Sequence, residues 1–234
     1  MATLHDRPLS MLLTLALVPL ITSLIVADHG LTARTPLDLP NGGEGIEVDE
    51  KEGLEPLTFY GNEFEGDGFF FCLDKSGSMA NDSRLDTLKS EVVKALDSLT
   101  SKSEFGIVAF STGWISWDTR PKRAQPDIVD DAKNWVNQLN AAGQTHLAPA
   151  GVETIRLSSL SRKKHKHIIV LSDGLPNGPG ALDSAITDTI NAITLANWER
   201  TPIHTIYIGD NQIGKNFMQT LALMNSGTFT QVIP

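Results

Sequence analysis

Three short polar clusters hold the residues best equipped for chemistry. Asp74-Lys75-Ser76-Gly77-Ser78 follows the apolar run GFFFCL (68–73), Ser172-Asp173-Gly174 closes the run HIIVLS (167–172), and Gly143-Gln144-Thr145 lies between them. Asp74 and Asp173 offer carboxylates; Ser76, Ser78 and Thr145 offer hydroxyls. Neutral and anionic oxygens together are what a hard divalent ion such as Mg²⁺ or Mn²⁺ prefers. Two carboxylates set side by side repel unless a proton or a cation sits between them. Taken singly, each cluster also has an ordinary reading, with Asp74 or Thr145 capping a helix and the serines and Asp173-Gly174 making turns.

The elements that must position these clusters are legible in the hydrophobic pattern. GFFFCL, FGIVAF (105–110), HIIVLS, IHTIYIG (203–209) and the weaker TFTQVI (228–233) are apolar at successive rather than alternate positions. Such runs are strands covered on both faces. Between them Leu85, Leu88, Val92, Leu96 and Leu99 recur at helical spacing, after Asp82 and Ser83, either able to cap. Ile128, Ala132, Trp135, Val136 and Leu139 repeat the pattern, as do Leu182, Ile186, Ile190 and Ile193, and a further helix holds Ala148 and Val152. The alternation predicts an α/β fold, a doubly wound, mostly parallel Rossmann-like sheet flanked by helices. With the strand order 3-2-1-4-5-6, the strands ending at Asp74 and Asp173 are first and fourth and flank the switch point where ligands bind. Adjacent strands lie about 4.8 Å apart, which brings the two carboxylates to one edge.

D-x-S-x-S after a buried strand, a lone Thr after Gly, and S-D-G after a second buried strand together resemble the metal-ion-dependent adhesion site of the von Willebrand factor type A family. The resemblance covers residues 57–234. It implies that Ser76, Ser78 and Thr145 bind an Mg²⁺ or Mn²⁺ ion directly, with Asp74 and Asp173 acting directly or through water. Where the family often has Gly-Gly-Thr, this chain has Gly143-Gln144-Thr145. It further implies a non-enzymatic role in adhesion or envelope assembly, in which a partner protein's Asp or Glu carboxylate completes the ion's octahedron. A structural or assembly subunit with a merely stabilising metal site is the alternative, and a metal-dependent phosphohydrolase a lesser one. The chain has no G-x-x-x-x-G-K-[ST] loop, and Ser76-Gly77-Ser78 is not a G-x-S-x-G elbow.

Charge and composition bound the remaining classes. Of 234 residues, 41% are hydrophobic and 20% charged, a globular composition. The net charge of -9 belongs to one segment: residues 28–67 hold eleven acids against Arg34 and Lys51, while residues 68–234 carry sixteen of each sign. No basic field draws the folded part to nucleic acid. Residues 8–27 carry no charge and end in Ala27 before Asp28. About 20 apolar residues span a bilayer, so residues 1–27 read as a signal peptide or a membrane anchor, giving an exported protein, secreted or held at a membrane. Residues 28–56, rich in Pro, Gly, Asp and Glu, read as a disordered acidic linker. LTFYG (57–61) reads as a short edge strand opening the domain.

Several other residues carry expectations. The single Cys72 excludes intrachain disulfides and sits in an apolar run as an inert thiol. The run Arg162-Lys163-Lys164-His165-Lys166-His167 reads as a solvated loop entering a strand, or as a patch for an anionic partner. His165 and His167 share one side of a strand start without a third ligand for zinc. His146 reads as a helix start or part of the site's rim, with Pro176 and Asn177 shaping that rim without touching the ion. Trp114 and Trp117 fall in a hairpin and are expected to bury against a helix.

Overall fold

The structure is a computed structural model that describes residues 54–233. Residues 1–27 and most of the acidic segment 28–56 lie outside the described residues.

The described residues open with an antiparallel hairpin of β1 (Glu55–Phe59) and β2 (Asn62–Gly66). LTFYG therefore belongs to a separate two-stranded sheet rather than to an edge of the main one. The strand begins at Glu55, so residues 55 and 56 lie in the hairpin and not in the linker. The reason is local: the buried Glu55 carboxylate accepts hydrogen bonds from the Thr100 backbone N–H at 3.1 Å, from the Thr100 hydroxyl, and from Ser103 Oγ at 2.6 Å.

The main sheet contains β3 (Gly68–Asp74), β4 (Glu104–Phe110), β5 (Trp114–Ser116), β6 (Lys122–Arg123), β7 (Lys166–Ser172), β8 (Ile203–Ile208) and β9 (Phe229–Val232). Its order is β5-β4-β3-β7-β8-β9, with β6 paired to β4. Strands β4, β3, β7, β8 and β9 are parallel, whereas β5 and β6 run antiparallel to β4. With the hairpin set aside and β6 an accessory strand, this is the expected 3-2-1-4-5-6 order. Its third member is a short antiparallel strand.

Alternate residues of β3 enter different cores. Phe69, Phe71 and Leu73 face a cluster made with the hairpin, α1 (Arg84–Ser98) and α2 (Pro126–Asn137). Phe70 and Cys72 face another made with α3 (Leu147–Leu160), α4 (Leu182–Ala196) and α5 (Gln212–Met224). A strand buried on both faces needs apolar residues throughout, which is why these runs do not alternate. Helix α5 adds Phe217, Met218 and Leu221 to the second cluster and is absent from the helical segments read from periodicity above. Cys72 is fully buried, and burial pushes its thiol pKa up to about 12, so it is inert as expected. Among the described residues no helix is long and apolar enough to cross a membrane.

Trp117 behaves as expected: its ring stacks on Phe105 at 5.1 Å and its indole N–H donates to Asp131 of α2 at 2.9 Å. Trp114 does not. It lies on the short edge strand β5, whose residues are mostly exposed, and is itself 43% exposed.

Candidate metal centre

The parallel strands all end at one edge of the sheet, and β3 and β7 are direct neighbours there, with Leu73 opposite Leu171. Asp74 is the last residue of β3, and Asp173 follows the last residue of β7. Beyond Asp74 the chain turns into a short 3-10 segment, Gly77–Ser83, that holds Ser78 over the sheet edge. That segment breaks at Asp82 and Ser83, both in left-handed conformation, before α1 begins. Ser83 occupies the N-cap position without a side-chain cap bond, so neither Asp82 nor Ser83 acts as the expected hydroxyl or carboxylate cap.

The third loop docks by its backbone. Gly77 N–H donates to Gly143 C=O at 2.9 Å and Ala142 N–H to Lys75 C=O at 2.9 Å. Gly143 is left-handed (φ 86), and a Cβ there would lie 2.6 Å from Thr112 Oγ1, so this position requires glycine. Thr145 is then fixed reciprocally by Asn177: its N–H donates to Asn177 Oδ1 at 2.8 Å, and Asn177 N–H donates to its C=O at 2.8 Å. Asn177 thus shapes the rim by holding Thr145. Thr145 caps no helix; the N-cap of α3 is His146, whose ring Nδ1 lies 2.9 Å from Thr112 C=O.

These elements bring all five expected oxygens donors together. Ser76 Oγ and Ser78 Oγ are 3.2 Å apart, and Ser78 Oγ donates to Asp173 Oδ1 at 2.8 Å. Gly174 closes the group: a Cβ on it would be 3.2 Å from Thr145 Oγ1 and 3.9 Å from Ser78 Oγ. Oxygen–oxygen separations of this size are the edges of an octahedron with metal–oxygen distances of about 2.1 Å. The donor set, two carboxylates and three hydroxyls, fits Mg²⁺ or Mn²⁺ in chemistry, and the Ser76–Ser78 and Ser78–Asp173 separations match such edges.

The electrostatics are tightly satisfied. Asp74, fully buried, accepts from Ser76 N–H at 2.7 Å and from the Ser172 hydroxyl. Its pKa is pushed up to about 6, chiefly by burial; those hydrogen bonds oppose the rise and the Asp173 charge adds to it. Asp173 has a positive neighbour missed by the sequence reading. Arg84, the first residue of α1, donates from Nη1 to Asp173 Oδ2 at 2.8 Å and from Nη2 to Asp82 at 3.2 Å. The Asp173 side chain is completely shielded and that of Arg84 is 19% exposed. The hydrogen bond to Asp173, and the charges of Asp173 and Asp82, raise the guanidinium pKa further still. The left-handed turn at Asp82 and Ser83 is what directs Arg84 back over the site, a local geometry that residue types alone do not announce.

Comparison with known proteins agrees with this architecture. A family model described as the von Willebrand factor type A domain matches residues 70–230. The chain belongs to the von Willebrand factor type A family. Its A domain is 26% identical over 169 residues to inter-alpha-trypsin inhibitor heavy chain H3 of Mesocricetus auratus, an alignment covering 69% of this chain but only 18% of that protein. Two solved structures share the fold: the vWF domain of the type V pili tip protein Mfa5 from Porphyromonas gingivalis (TM-score 0.58, 14% identity, covering 70% of this chain and 89% of that one) and the pilus adhesin SpaC from Lactobacillus rhamnosus GG (TM-score 0.59, 14% identity, covering 70% and 28%). In this A domain the switch point between β3 and β7 carries all five oxygen donors that the resemblance implies.

Proposed function

We propose that the domain binds a protein partner through a divalent cation, Mg²⁺ or Mn²⁺, held by Asp74, Ser76, Ser78, Thr145 and Asp173, and performs no reaction on that partner. The observation that carries this reading is the convergence of three hydroxyls and two carboxylates from three separate loops at one edge of the sheet, where Ser78 is half-buried and the other four residues are buried. When bound, the ion supplies a Lewis-acid position that a partner's Asp or Glu carboxylate can fill. The chain's own residues do the rest. The hydroxyls contribute oxygens without adding negative charge, so the site keeps an affinity for an anionic visitor. Asn177 and Gly143 hold the Thr145 loop at the right height. Gly174 leaves the gap that any side chain would fill.

Adhesion or surface assembly is the setting we favour, since two structures of the same fold are named for a pilus tip and a pilus adhesin. The uncharged segment 8–27 supports export, with the domain secreted or held at a membrane.

The test is selection of displayed peptides on the immobilised chain in Mg²⁺. The expected winners share one Asp or Glu, and lose binding when it becomes Asn or Gln, when EDTA is added, or in Asp74→Ala. Winners without an acidic residue that bind equally in EDTA contradict the proposal.

A further inference from the structure

The opposite end of the domain, where the parallel strands begin, has a different character. Helices α4 and α5 end there, leaving Leu195 (82% exposed), Trp198 (74%), Leu223 (78%) and Met224 (51%) in solvent. Single exposed apolar residues need no explanation, but four on two adjacent helix ends form a patch. The patch is firmly built. Asn197 donates from Nδ2 to Thr201 C=O at 2.8 Å and accepts Thr201 N–H at 3.0 Å, which clamps the turn carrying Trp198. The same amide donates to Asn225 Oδ1 at 3.0 Å, which ties that turn to the end of α5. A groove of about 430 Å³ runs between the two helix ends, lined by Trp198, Arg200 and Met224 among others.

Bases lie at the same end of the domain. The run Arg162–Lys166 lies at the start of β7, and Lys166 pairs with Glu199 beside Trp198. Arg123 sits opposite Glu104 at the start of β4, and Arg120 and Arg162 flank the half-exposed Leu160. Arg120, Arg123, Arg162, Lys164 and Arg200 have no ion pair among the described residues. Among the described residues the acids at this end are largely engaged, Glu199 with Lys166, Glu104 with the Ser161 hydroxyl and Asp67 with the His165 N–H, while Glu65 remains exposed; segment 28–54 adds seven acids against Arg34 and Lys51. The chain also enters the domain at this end, since Glu55 pairs with Gly66 just before β3 begins.

We infer that this basal face docks on an anionic lipid surface, with Trp198, Leu195, Leu223 and Met224 entering the headgroup boundary and the bases at this end facing lipid phosphates. Tryptophan favours that boundary, and exposed bases add attraction to anionic headgroups. The uncharged segment 8–27, long enough to cross a bilayer, supplies the reason for a bilayer to be at hand. Docked in this way, the domain presents the Asp74–Asp173 edge to the outside. The inference stands whether or not that edge binds metal.

Full-chain protein is mixed with vesicles of phosphatidylcholine alone or of phosphatidylcholine with phosphatidylglycerol, both carrying a lipid spin-labelled near the headgroup. The signal of Trp198 is the difference between wild type and Trp198→Phe, a change the exposed position tolerates. Docking predicts that Trp198 is quenched and blue-shifted in anionic vesicles only, and released at about 1 M salt, where screening extends only about 3 Å. Removal of single bases by Arg162→Gln or Lys164→Gln lowers the docked-to-undocked ratio about fivefold each. A Trp198 that stays unquenched, or that is quenched equally in both vesicle types regardless of salt, overturns the inference.

Discussion

Arg84 Nη1 lies 2.8 Å from Asp173 Oδ2, on the carboxylate whose other oxygen receives the Ser78 hydroxyl. The guanidinium thus neutralises a shielded carboxylate at the edge of the candidate metal centre, and it stands where an incoming cation must share that charge. Two unit charges 4 Å apart at an effective dielectric constant of 20 repel by about 4 kcal/mol, and a competition of even a third of that size matters. Arg84→Gln is therefore expected to bind Mg²⁺ on the order of tenfold more tightly than wild type while losing about 2 kcal/mol of metal-free stability. Calorimetric Mg²⁺ titration and denaturant unfolding in EDTA measure the two effects. Equal Mg²⁺ affinity in both proteins means that Arg84 does not gate the site.

Gly174 gives a substitution that should separate metal binding from folding. A methyl group there meets Thr145 Oγ1 at 3.2 Å, tight but relieved by a small shift, and its backbone is not left-handed. Gly174→Val adds bulk that the Thr145–Ser78 gap cannot take. The expected result is loss of Mg²⁺-dependent stabilisation in Gly174→Val, with metal-free stability lowered by no more than about 1–3 kcal/mol. Circular-dichroism melts with and without Mg²⁺ read both quantities.

Gly143 should show the converse. Alanine there combines a left-handed backbone with a 2.6 Å contact to Thr112 Oγ1. Gly143→Ala is expected to cost about 1–3 kcal/mol without any metal present and to weaken the docking of the Thr145 loop. Hydrogen exchange at the amides of Gly77 and Ala142, which reach across that loop, should accelerate.

The buried His204 and the half-buried His167 at the basal end give a pH prediction. Thr228 N–H donates to His204 Nδ1 at 3.0 Å, so the proton of His204 is on Nε2, which faces His167 Nδ1 at 3.0 Å. His167 Nε2–H in turn donates to Glu65 C=O at 2.9 Å, tying the hairpin to β7. Both rings are neutral in this chain of bonds. Burial, with the neighbouring His167 adding to it, pushes the His204 pKa down to about 4, and burial lowers that of His167. A group depressed on folding contributes stability that is complete above about pH 6.5 and lost as pH falls toward 4. The loss is roughly 2–3 kcal/mol at pH 4. Asp74, raised on folding, acts in the opposite direction over the same range, so the quantity to measure is the stability of wild type minus His204→Gln. That difference should fall between pH 6.5 and 4; a flat difference would show that the ring carries no such penalty.

Much of this molecule is legible in the chain. The unbroken apolar runs ending at Asp74 and Ser172 announce buried parallel strands, and neighbouring strands at a switch point bring Asp74 and Asp173 together. What escapes is geometry set by backbone conformation and by neighbours remote in sequence. Arg84 faces Asp173 only because Asp82 and Ser83 adopt left-handed conformations, which neither residue type demands. Trp114 stays exposed on a short strand at the edge of the sheet, a fact of topology rather than of the tryptophan. The strand β1 begins at Glu55 because Thr100 and Ser103, at the far end of α1, satisfy a carboxylate that composition alone assigns to solvent. Helix α5 hides behind a short segment with glycine and asparagine in its first turns, and its apolar stripe is plain only when set against β8 and β9.

The central claim is that one divalent ion is held by oxygens from three loops, and the most direct measurement is thermal unfolding of the full chain in EDTA and in saturating Mg²⁺, for wild type and Asp173→Asn. A ligand present at 100 times its dissociation constant stabilises the native state by about 2.7 kcal/mol, or roughly 5–10 °C for a domain of this size. The account predicts that shift in wild type and its disappearance in Asp173→Asn, with Mn²⁺ reproducing both results. A wild-type melting temperature that Mg²⁺ and Mn²⁺ leave unmoved, or an equal rise in the variant, would contradict it.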